Sequence, residues 1–233
     1  MASGDFCAGI RPLYPRFFGG TVAFCCSRML RTPAQIALPG AAPQRSMAQE
    51  KRKEMTDAEM IALALEEGFS AAAMVEPAQI VFDPAFRPYC EENLCGQYGV
   101  NYSCPPDCGS PEQMKSRILA HRRALVLQSI WDISDYTDLP AIRQAKSAHN
   151  SAQLRLIERL RAAGHDGLIV GASGCALCSP CARKTGQPCR FPRLQYSCMS
   201  AYCIFVRKLA ESCALEYSPG DGLLAFFGMY VFD

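Results

Sequence analysis

The 233-residue sequence is short of several features that would point to a function at once. It has three histidines (His121, His149 and His165), which show no H-x-x-x-H pairing, and its 24 basic and 22 acidic residues nearly balance. The small net charge gives no reason to expect nucleic acid as a partner. No run approaches the roughly 18 uncharged apolar residues that a membrane-spanning helix needs. The glycine fingerprint of dinucleotide-binding folds and the serine elbow of many hydrolases are also missing.

Cysteine, in contrast, is abundant, with 14 residues in the chain. Such a number is explained by disulfides, by bound metal or by a few reactive thiols among buried ones. Disulfide frameworks belong to small secreted domains with little core, whereas this chain is 49% hydrophobic and lacks a clear secretory signal at its start. We therefore expect metal ligation in a reducing compartment, the cytoplasm.

Residues 1–46 differ in composition from the rest of the chain. They contain five arginines, five prolines and a single acidic residue, Asp5. We predict a poorly ordered N-terminal extension, followed by a single α/β metal-binding domain over residues 47–233. An arginine-containing, acid-poor leader is also typical of a segment that targets a mitochondrial-type organelle. The prolines argue against that alternative, because they interrupt an amphipathic helix.

After residue 47 the sequence alternates between helix and strand signals. Thr56 with Glu59, Ser110 with Gln113, and Asp138 mark the starts of three helices. Apolar runs predict strands at 78–82, 124–131, 168–172 and 223–232, and a further helix is predicted over 199–212. Strands separated by helices indicate an α/β fold, with a mainly parallel or mixed sheet covered by helices and a cysteine-rich metal-binding loop.

The sharpest motif is a C-x2-C-x2-C-x7-C loop. Its members, here called the loop cysteines, are Cys175, Cys178, Cys181 and Cys189. Two successive C-x2-C steps resemble the cluster-binding loop of bacterial ferredoxins without reproducing its later spacing. The motif predicts an iron–sulfur cluster, of the 4Fe-4S type, and the alternative is a zinc site with four cysteine ligands.

The charges around this loop are of one sign. No aspartate or glutamate occurs from residue 167 to residue 210, while six basic residues do. Because a cluster with four thiolate ligands is anionic, nearby cations stabilise it. We expect Lys184 and Arg190 to provide this counter-charge at the cofactor, and the alternative is a basic surface patch.

A second group, here called the upstream cysteines, consists of Cys90, Cys95 and Cys104. Three thiolates do not close a tetrahedral site. Either a fourth ligand comes from elsewhere, with Cys108 the nearest candidate, or a position stays open for water or substrate, which would indicate catalysis. The remaining Cys198, Cys203 and Cys213 are predicted on an apolar helix, where free cysteine behaves as a small hydrophobic residue.

The run from Arg87 to Pro106, the loop motif and the segment Pro188-Cys-Arg-Phe-Pro192 together resemble a known family over about residues 85–233. It is an uncharacterised family of cysteine-rich, predicted metal-binding proteins, common in anaerobic bacteria and archaea and catalogued as a domain of unknown function. The resemblance implies that the three upstream and four loop cysteines are the metal-site positions. It supplies a ligand pattern and not a reaction.

The sequence therefore predicts a metal-binding protein that serves electron transfer or an accessory redox step together with a redox partner protein. A zinc-stabilised interaction module without redox activity is the alternative. A thiolate–metal enzyme with an open coordination position is a third hypothesis, and whether the chain is an enzyme stays open.

Overall fold

The computed structural model describes residues 54–233, so the expectations for residues 1–46 lie outside the described residues. The described part contains five α-helices and five β-strands. In chain order they are α1 (Asp57–Glu66), β1 (Ala71–Val75), α2 (Arg87–Glu91), α3 (Pro111–Leu119), β2 (Arg123–Asp132), α4 (Leu139–Ala162), β3 (Gly167–Gly171), β4 (Ser197–Cys198), α5 (Val206–Ser212) and β5 (Leu223–Phe232).

The strands form a single mixed sheet in the order β1-β2-β5-β3-β4. The β1–β2, β2–β5 and β5–β3 pairs are antiparallel, and β3–β4 is parallel. The α/β class is confirmed, in the mixed rather than the mainly parallel form. The chain's last strand, β5, lies in the middle of the sheet and is hydrogen-bonded to both β2 and β3.

Side chains alternate between the two faces of the sheet along each strand. Apolar residues of the helices cover both faces. On β2, Leu125 and Leu127 pack with the apolar stripes of α1 and α4. Their neighbours Ala124 and Val126 point the other way and pack with α3, α5 and the turn before α5. The two long central strands are therefore almost continuously apolar, as strands buried on both faces must be.

The helix starts follow the capping signals in the sequence. The Thr56 side chain accepts a hydrogen bond from the Glu59 N–H, Ser110 does the same for Gln113, and Asp138 accepts from Ala141. These contacts satisfy backbone donors that lack a partner in the first turn of a helix. No helix among residues 54–233 combines the length and apolar character needed to cross a membrane.

Two predicted elements are wrong. The strand expected at 78–82 is a short 3-10 turn (Pro77–Gln79), and an isolated bridge from Phe82 to Ile204 is all the pairing this region makes. Proline has no N–H to donate to a strand ladder. The first strand is instead β1, whose small residues Ala71–Ala73 give little strand signal.

The helix expected over residues 199–212 begins only at Val206. Residues 199–204 form a tight turn, in which the Ile204 N–H donates to the Met199 carbonyl at 3.1 Å. Cys203 adopts a left-handed conformation with φ of 55°, which ends any helical path. The spacing of apolar residues does not reveal such a turn, so the sequence predicts one longer helix.

A buried histidine lies between α4 and the sheet and makes stability depend on pH. His149 is 1% exposed, and its Nδ1 lies 2.7 Å from Ser129 Oγ. Burial lowers the pKa of His149 to about 4, against about 6.5 in an unfolded chain. The neutral ring therefore contributes its full stabilisation above pH 6.5 and loses it as the pH falls from 6.5 to 4. We expect this loss to be about 3 kcal/mol.

The measurement is urea unfolding of the wild type and of a His149→Gln variant between pH 7 and 4. The variant should be less stable at pH 7, and the difference between the two proteins should shrink by about 3 kcal/mol as the pH reaches 4. A difference that stays constant across this range would show that His149 does not titrate as its burial requires.

Candidate metal centre

The cysteines gather at the carboxyl ends of the two parallel strands. β3 ends at Gly171 and leads into residues 172–196, which contain the four loop cysteines, and the chain then returns as β4. In the parallel pairing Gly171 lies opposite Cys198. Gly171 has to be a glycine, because a Cβ there would lie 2.6 Å from the Tyr196 ring. This end of an α/β sheet is a common place for binding sites.

The segment with the upstream cysteines is fastened to the start of the loop. The Cys175 N–H donates to Ser103 Oγ at 2.9 Å, and Asn101 Nδ2 donates to the Cys175 carbonyl at 2.9 Å. A Cβ on Gly174 would lie 3.3 Å from Cys104 Sγ, so the Cys104 thiol rests against the loop backbone. The structure therefore brings the segments of the two cysteine groups together at one end of the sheet.

Further contacts join the same two segments farther along the loop. Tyr102 donates its hydroxyl to the Gln187 carbonyl at 2.9 Å, and Gln195 donates to the Tyr102 carbonyl at 3.1 Å. Arg183 and Asp107 form an ion pair at 2.6 Å. These links hold the loop on the 101–107 segment along its whole length.

The four loop cysteines are all half-buried, and none forms a disulfide. Burial raises the pKa of the Cys175 thiol, whereas N–H groups of Leu177 and Tyr196 donate to its sulfur and act in the opposite direction. The nearby thiols of Cys189 and Cys178 raise that pKa further. A sulfur that accepts backbone hydrogen bonds is prepared to become a metal-bound thiolate, since such bonds stabilise the anion.

Several further thiols lie near the upstream cysteines, and Cys198 is one that acts on both Cys90 and Cys104. Burial raises the pKa of Cys90 to about 11 and of Cys104 to about 12, and in both cases Cys198 and Cys95 are among the thiols that raise it further. Cys198 in turn has Cys95 among its neighbours. The N–H groups of Ala201 and Ser200 donate to the Cys198 sulfur.

These positions correct one expectation. Cys198 is not on an apolar helix but on β4, half-buried, and Cys203 lies in the turn that follows, so only Cys213 lies at a helix end. Cys108 is 2% exposed, packs in the hydrophobic core with Met114, and has its Sγ 3.9 Å from Arg87 Nη1. It also contributes to the raised pKa of Cys104, and its role as a fourth ligand stays a prediction. The sequence holds no spacing signal for Cys198, since the fold alone brings it to the others.

A buried arginine that the sequence analysis missed lies beside these thiols. Arg87 is 8% exposed and begins α2, the helix that contains Cys90. Its guanidinium donates to the Ala201 carbonyl at 2.9 Å and to the Gly109 carbonyl at 3.1 Å. Burial by itself lowers the pKa of Arg87, but a hydrogen bond to Cys203 and the charges of Cys108 and Cys203 raise it overall.

Arg87 forms no ion pair with a carboxylate anywhere in residues 54–233, and its Nε has no hydrogen-bond partner there. Its charge acts on Glu112, whose pKa it helps to lower. Its thiol neighbours are Cys90, Cys108 and Cys203, and a thiol becomes anionic when it binds metal. Arg87 is therefore placed to neutralise a thiolate-bound group at this end of the sheet.

The two cations expected at the cofactor, Lys184 and Arg190, are both exposed. Arg183 is the basic residue of the loop that the fold fixes, through its ion pair with Asp107, and the Cys181 thiol contributes to raising its pKa. A counter-charge role for Lys184 and Arg190 stays a prediction.

The cysteine side chains of this region are suitable ligands for a metal bound through thiolates. The spacing that their sulfurs need differs between a single metal ion and a cluster. In residues 54–233 no group of three or more His, Cys, Asp or Glu side chains is already arranged to hold a single metal ion. A tetrahedral zinc ion holds its thiolates about 3.8 Å apart, so a single ion would require the cysteine segments to close around it. A cuboidal cluster binds one thiolate at each iron corner, which places the sulfurs farther apart.

A cavity of about 640 Å³ adjoins the turn after β4. Met199 and Ser200 line it from that turn, and aromatic residues such as Phe226 and Tyr217 line it from the β5 side. Because the Ser200 N–H donates to the Cys198 sulfur, one wall of this cavity is the backbone that holds Cys198.

Comparison with known proteins agrees with the donor chemistry. Residues 73–232 match a family described as "Predicted metal-binding protein (DUF2284)". No curated protein matches the sequence. No solved structure matches it either. The matched range includes the upstream cysteines, the loop cysteines and Cys198. With well over half of its length matched, the chain belongs to the DUF2284 family of predicted metal-binding proteins.

Proposed function

We propose that the loop cysteines bind an iron–sulfur cluster of the four-iron type and that the protein serves electron transfer or an accessory redox step. The observation that supports this most is the presence of four half-buried free thiols within fifteen residues, between the ends of two paired strands. Their C-x2-C-x2-C beginning resembles a bacterial ferredoxin loop. When bound, such a cluster supplies a carrier for single electrons.

The protein's own groups would stabilise and tune this cluster. The N–H groups of Leu177 and Tyr196, directed at Cys175 Sγ, stabilise a thiolate there and favour the reduced state of what it holds. The loop contains no acidic residue, so no carboxylate of its own opposes the negative charge. We propose the cytoplasm as the compartment, with a mitochondrial-type organelle as the alternative if residues 1–46 form a targeting segment.

A redox partner protein is part of this proposal. The loop cysteines are half-buried rather than buried, so a bound cluster would lie close to the surface. Phe191 and Leu194, two exposed apolar residues that follow the last loop cysteine, lie near this region in sequence. Isolated exposed apolar side chains are ordinary, but next to a redox group they offer contact area for a docking protein.

The alternative is a structural zinc site that stabilises an interaction module. The observation in its favour is the number of bonds between the loop and the 101–107 segment, since a structural zinc commonly holds two such segments together. In that case the site would be closed and without redox activity.

Anaerobic purification, followed by metal analysis and absorbance spectroscopy, tests the proposal. We expect a brown protein with a broad visible band that bleaches on reduction and that is weakened by Cys178→Ser. A Cys213→Ser variant, which changes a half-buried thiol at the end of α5, should keep the wild-type spectrum. A colourless wild-type protein with stoichiometric zinc would contradict the cluster and favour the alternative.

A further inference from the structure

We propose that the cavity beside the turn after β4 binds a small aromatic acid, that is, a planar ring that carries one carboxylate. The cavity has a volume of about 640 Å³, within the range of about 300–1,000 Å³ that is usual for small-molecule sites. This inference goes beyond the proposed function, because no cysteine lines the cavity among residues 54–233 and the acid should bind whether the loop cysteines hold iron or zinc.

The cavity lies where two neighbouring strands separate. The β3–β5 pairing ends at Val170 and Met229. β3 then leads into the loop, whereas residues 223–228 of β5 pair with β2 alone among the described strands. Ala172, just after β3, lines the cavity on one side, and residues 223–227 line it from β5. A crevice beyond the carboxyl end of a strand is a common place for ligands in α/β folds.

Helix α4 covers this point of separation with a row of polar side chains. The Gln153 amide donates to the two carbonyls of the last β3–β5 pair, at 3.0 and 2.9 Å. Asn150 Oδ1 accepts from the Ala172 N–H at 2.9 Å. Lys146 is the next member of the row, because positions three and four apart lie on the same face of a helix. This face of α4 therefore brings Lys146 to the wall of the cavity.

The Lys146 ammonium has no anionic partner in the part of the chain that the structure describes. It is half-buried and forms no ion pair with any residue from 54 to 233. Its Nζ lies 5.7 Å from the centroid of the Phe226 ring, which also lines the cavity. A cation over an aromatic face is held in place without being neutralised. Its charge is therefore available to an anion in the cavity.

Aromatic side chains supply the flat surfaces of the cavity. Tyr136, Tyr217 and Phe226 line it, and the two tyrosines are 53% and 41% exposed. Tyr217 is held by the stacked ring of Phe227, at 6.2 Å between centroids, and by the Arg207 guanidinium, 4.9 Å from the ring centroid. Partly exposed aromatic rings that are fixed in place favour contact with another ring. The walls therefore suit a planar aromatic ligand.

The charges at the cavity favour a carboxylate over a phosphate. Within the described residues, Lys146 is the one basic side chain of the lining and the exposed Asp221 is the one acidic side chain. A phosphate ester carries about 1.5–2 negative charges near neutral pH, and arginine forks are the usual partners of such a group. One lysine beside aromatic faces suits a single negative charge on a flat, otherwise apolar molecule.

Titration of the full-length protein with cinnamate tests the proposal, and calorimetry measures the affinity and the number of molecules bound. Trp131 gives a second signal, because it is the single tryptophan of the chain and is paired with the lining residue Leu224. We expect one cinnamate per chain and a change in Trp131 fluorescence. Cinnamyl alcohol lacks the charge, and cyclohexanecarboxylate lacks the aromatic ring. Each should bind about tenfold more weakly than cinnamate.

Substitution of Lys146 shows whether it is the partner of the carboxylate. Lys146→Gln should weaken cinnamate binding about tenfold and leave the binding of cinnamyl alcohol unchanged. Lys115→Gln is the matched control, because Lys115 lies 5.6 Å over the Phe82 ring in the same kind of contact but does not line the cavity. Asp221→Asn should bind cinnamate at least as tightly as the wild type, since it removes a like charge.

Equal binding of cinnamate and cinnamyl alcohol by the wild type would overturn the proposal, and so would the absence of binding by either. Tighter binding of phenyl phosphate than of cinnamate would overturn the choice of a carboxylate. Equal losses in Lys146→Gln and Lys115→Gln would also contradict it. If Lys146→Gln does not fold, the comparison of the compounds on the wild type still decides. Metal content and absorbance decide the proposed function, so the two proposals can fail separately.

Discussion

Replacing Cys178 by serine is expected to weaken metal binding by the loop and to lower the melting temperature of the metal-loaded protein by about 6–12 °C. Ligation that exists only in the folded state adds its binding energy to stability, and a structural metal site contributes about 10–16 kcal/mol in total. Losing a quarter of that, about 3 kcal/mol, produces a shift of this size in a domain of about 180 residues. Calorimetry together with metal analysis measures both effects.

The control for this prediction is Cys213→Ser, which removes a half-buried thiol at the end of α5, outside both cysteine groups. It should shift the melting temperature by much less and keep the full metal content. The metal-free forms of wild type and Cys178→Ser should melt at nearly the same temperature, because Cys178 contributes through its ligand role. Equal melting temperatures of the two loaded proteins would show that the loop binds no stabilising metal.

The second large effect is expected for Arg87→Met, which keeps the length of the side chain but removes its charge. Two buried or half-buried carbonyls, of Ala201 and Gly109, would lose a charged donor. Each such hydrogen bond contributes about 1.5–3 kcal/mol, so the metal-free variant should be less stable by about 3 kcal/mol or more in denaturant unfolding. A bound anionic group would also lose its counter-charge, and its reduction potential should become more negative.

Arg87→Lys separates these two contributions. Lysine keeps the positive charge but does not span two carbonyls with one planar group. It should therefore restore most of the reduction potential while leaving a substantial part of the stability loss. If Arg87→Met changes stability and leaves the potential of the loaded protein at the wild-type value, the arginine is a structural clamp and not a counter-charge.

The sequence predicts those elements of the fold whose signals lie within a few neighbouring residues. Thr56, Ser110 and Asp138 cap helices as their side chains require, and the apolar runs at 124–131 and 223–232 are the two central strands. The small alanines of β1 have no clear strand pattern, so that strand was missed. Its existence depends on pairing with β2, which is a property of the assembled sheet.

The candidate site shows the same limit more clearly. The loop cysteines form a set that is complete within one short segment, so their spacing alone identifies them. Cys198 has no such spacing to the upstream cysteines, because it reaches this end of the sheet only through the pairing of β4 beside β3. Arg87 lies three residues before Cys90, but the Ala201 carbonyl that its guanidinium binds is distant in the chain. Contacts between residues distant in the chain are set by topology, which a single sequence does not display.

The central position of β5 has a consequence for how the protein is made. β5 is the last strand to leave the ribosome, yet it is the strand that connects the β1–β2 half of the sheet with the β3–β4 half. Until it emerges, Cys90 and Cys198, 108 residues apart in sequence, have no sheet to hold them near each other. The loop cysteines do not depend on β5 in this way, because all four lie within fifteen consecutive residues of the chain. The loop cysteines can therefore come together before β5 is made, whereas Cys198 can be held near Cys90 only after β5 has joined the two halves of the sheet.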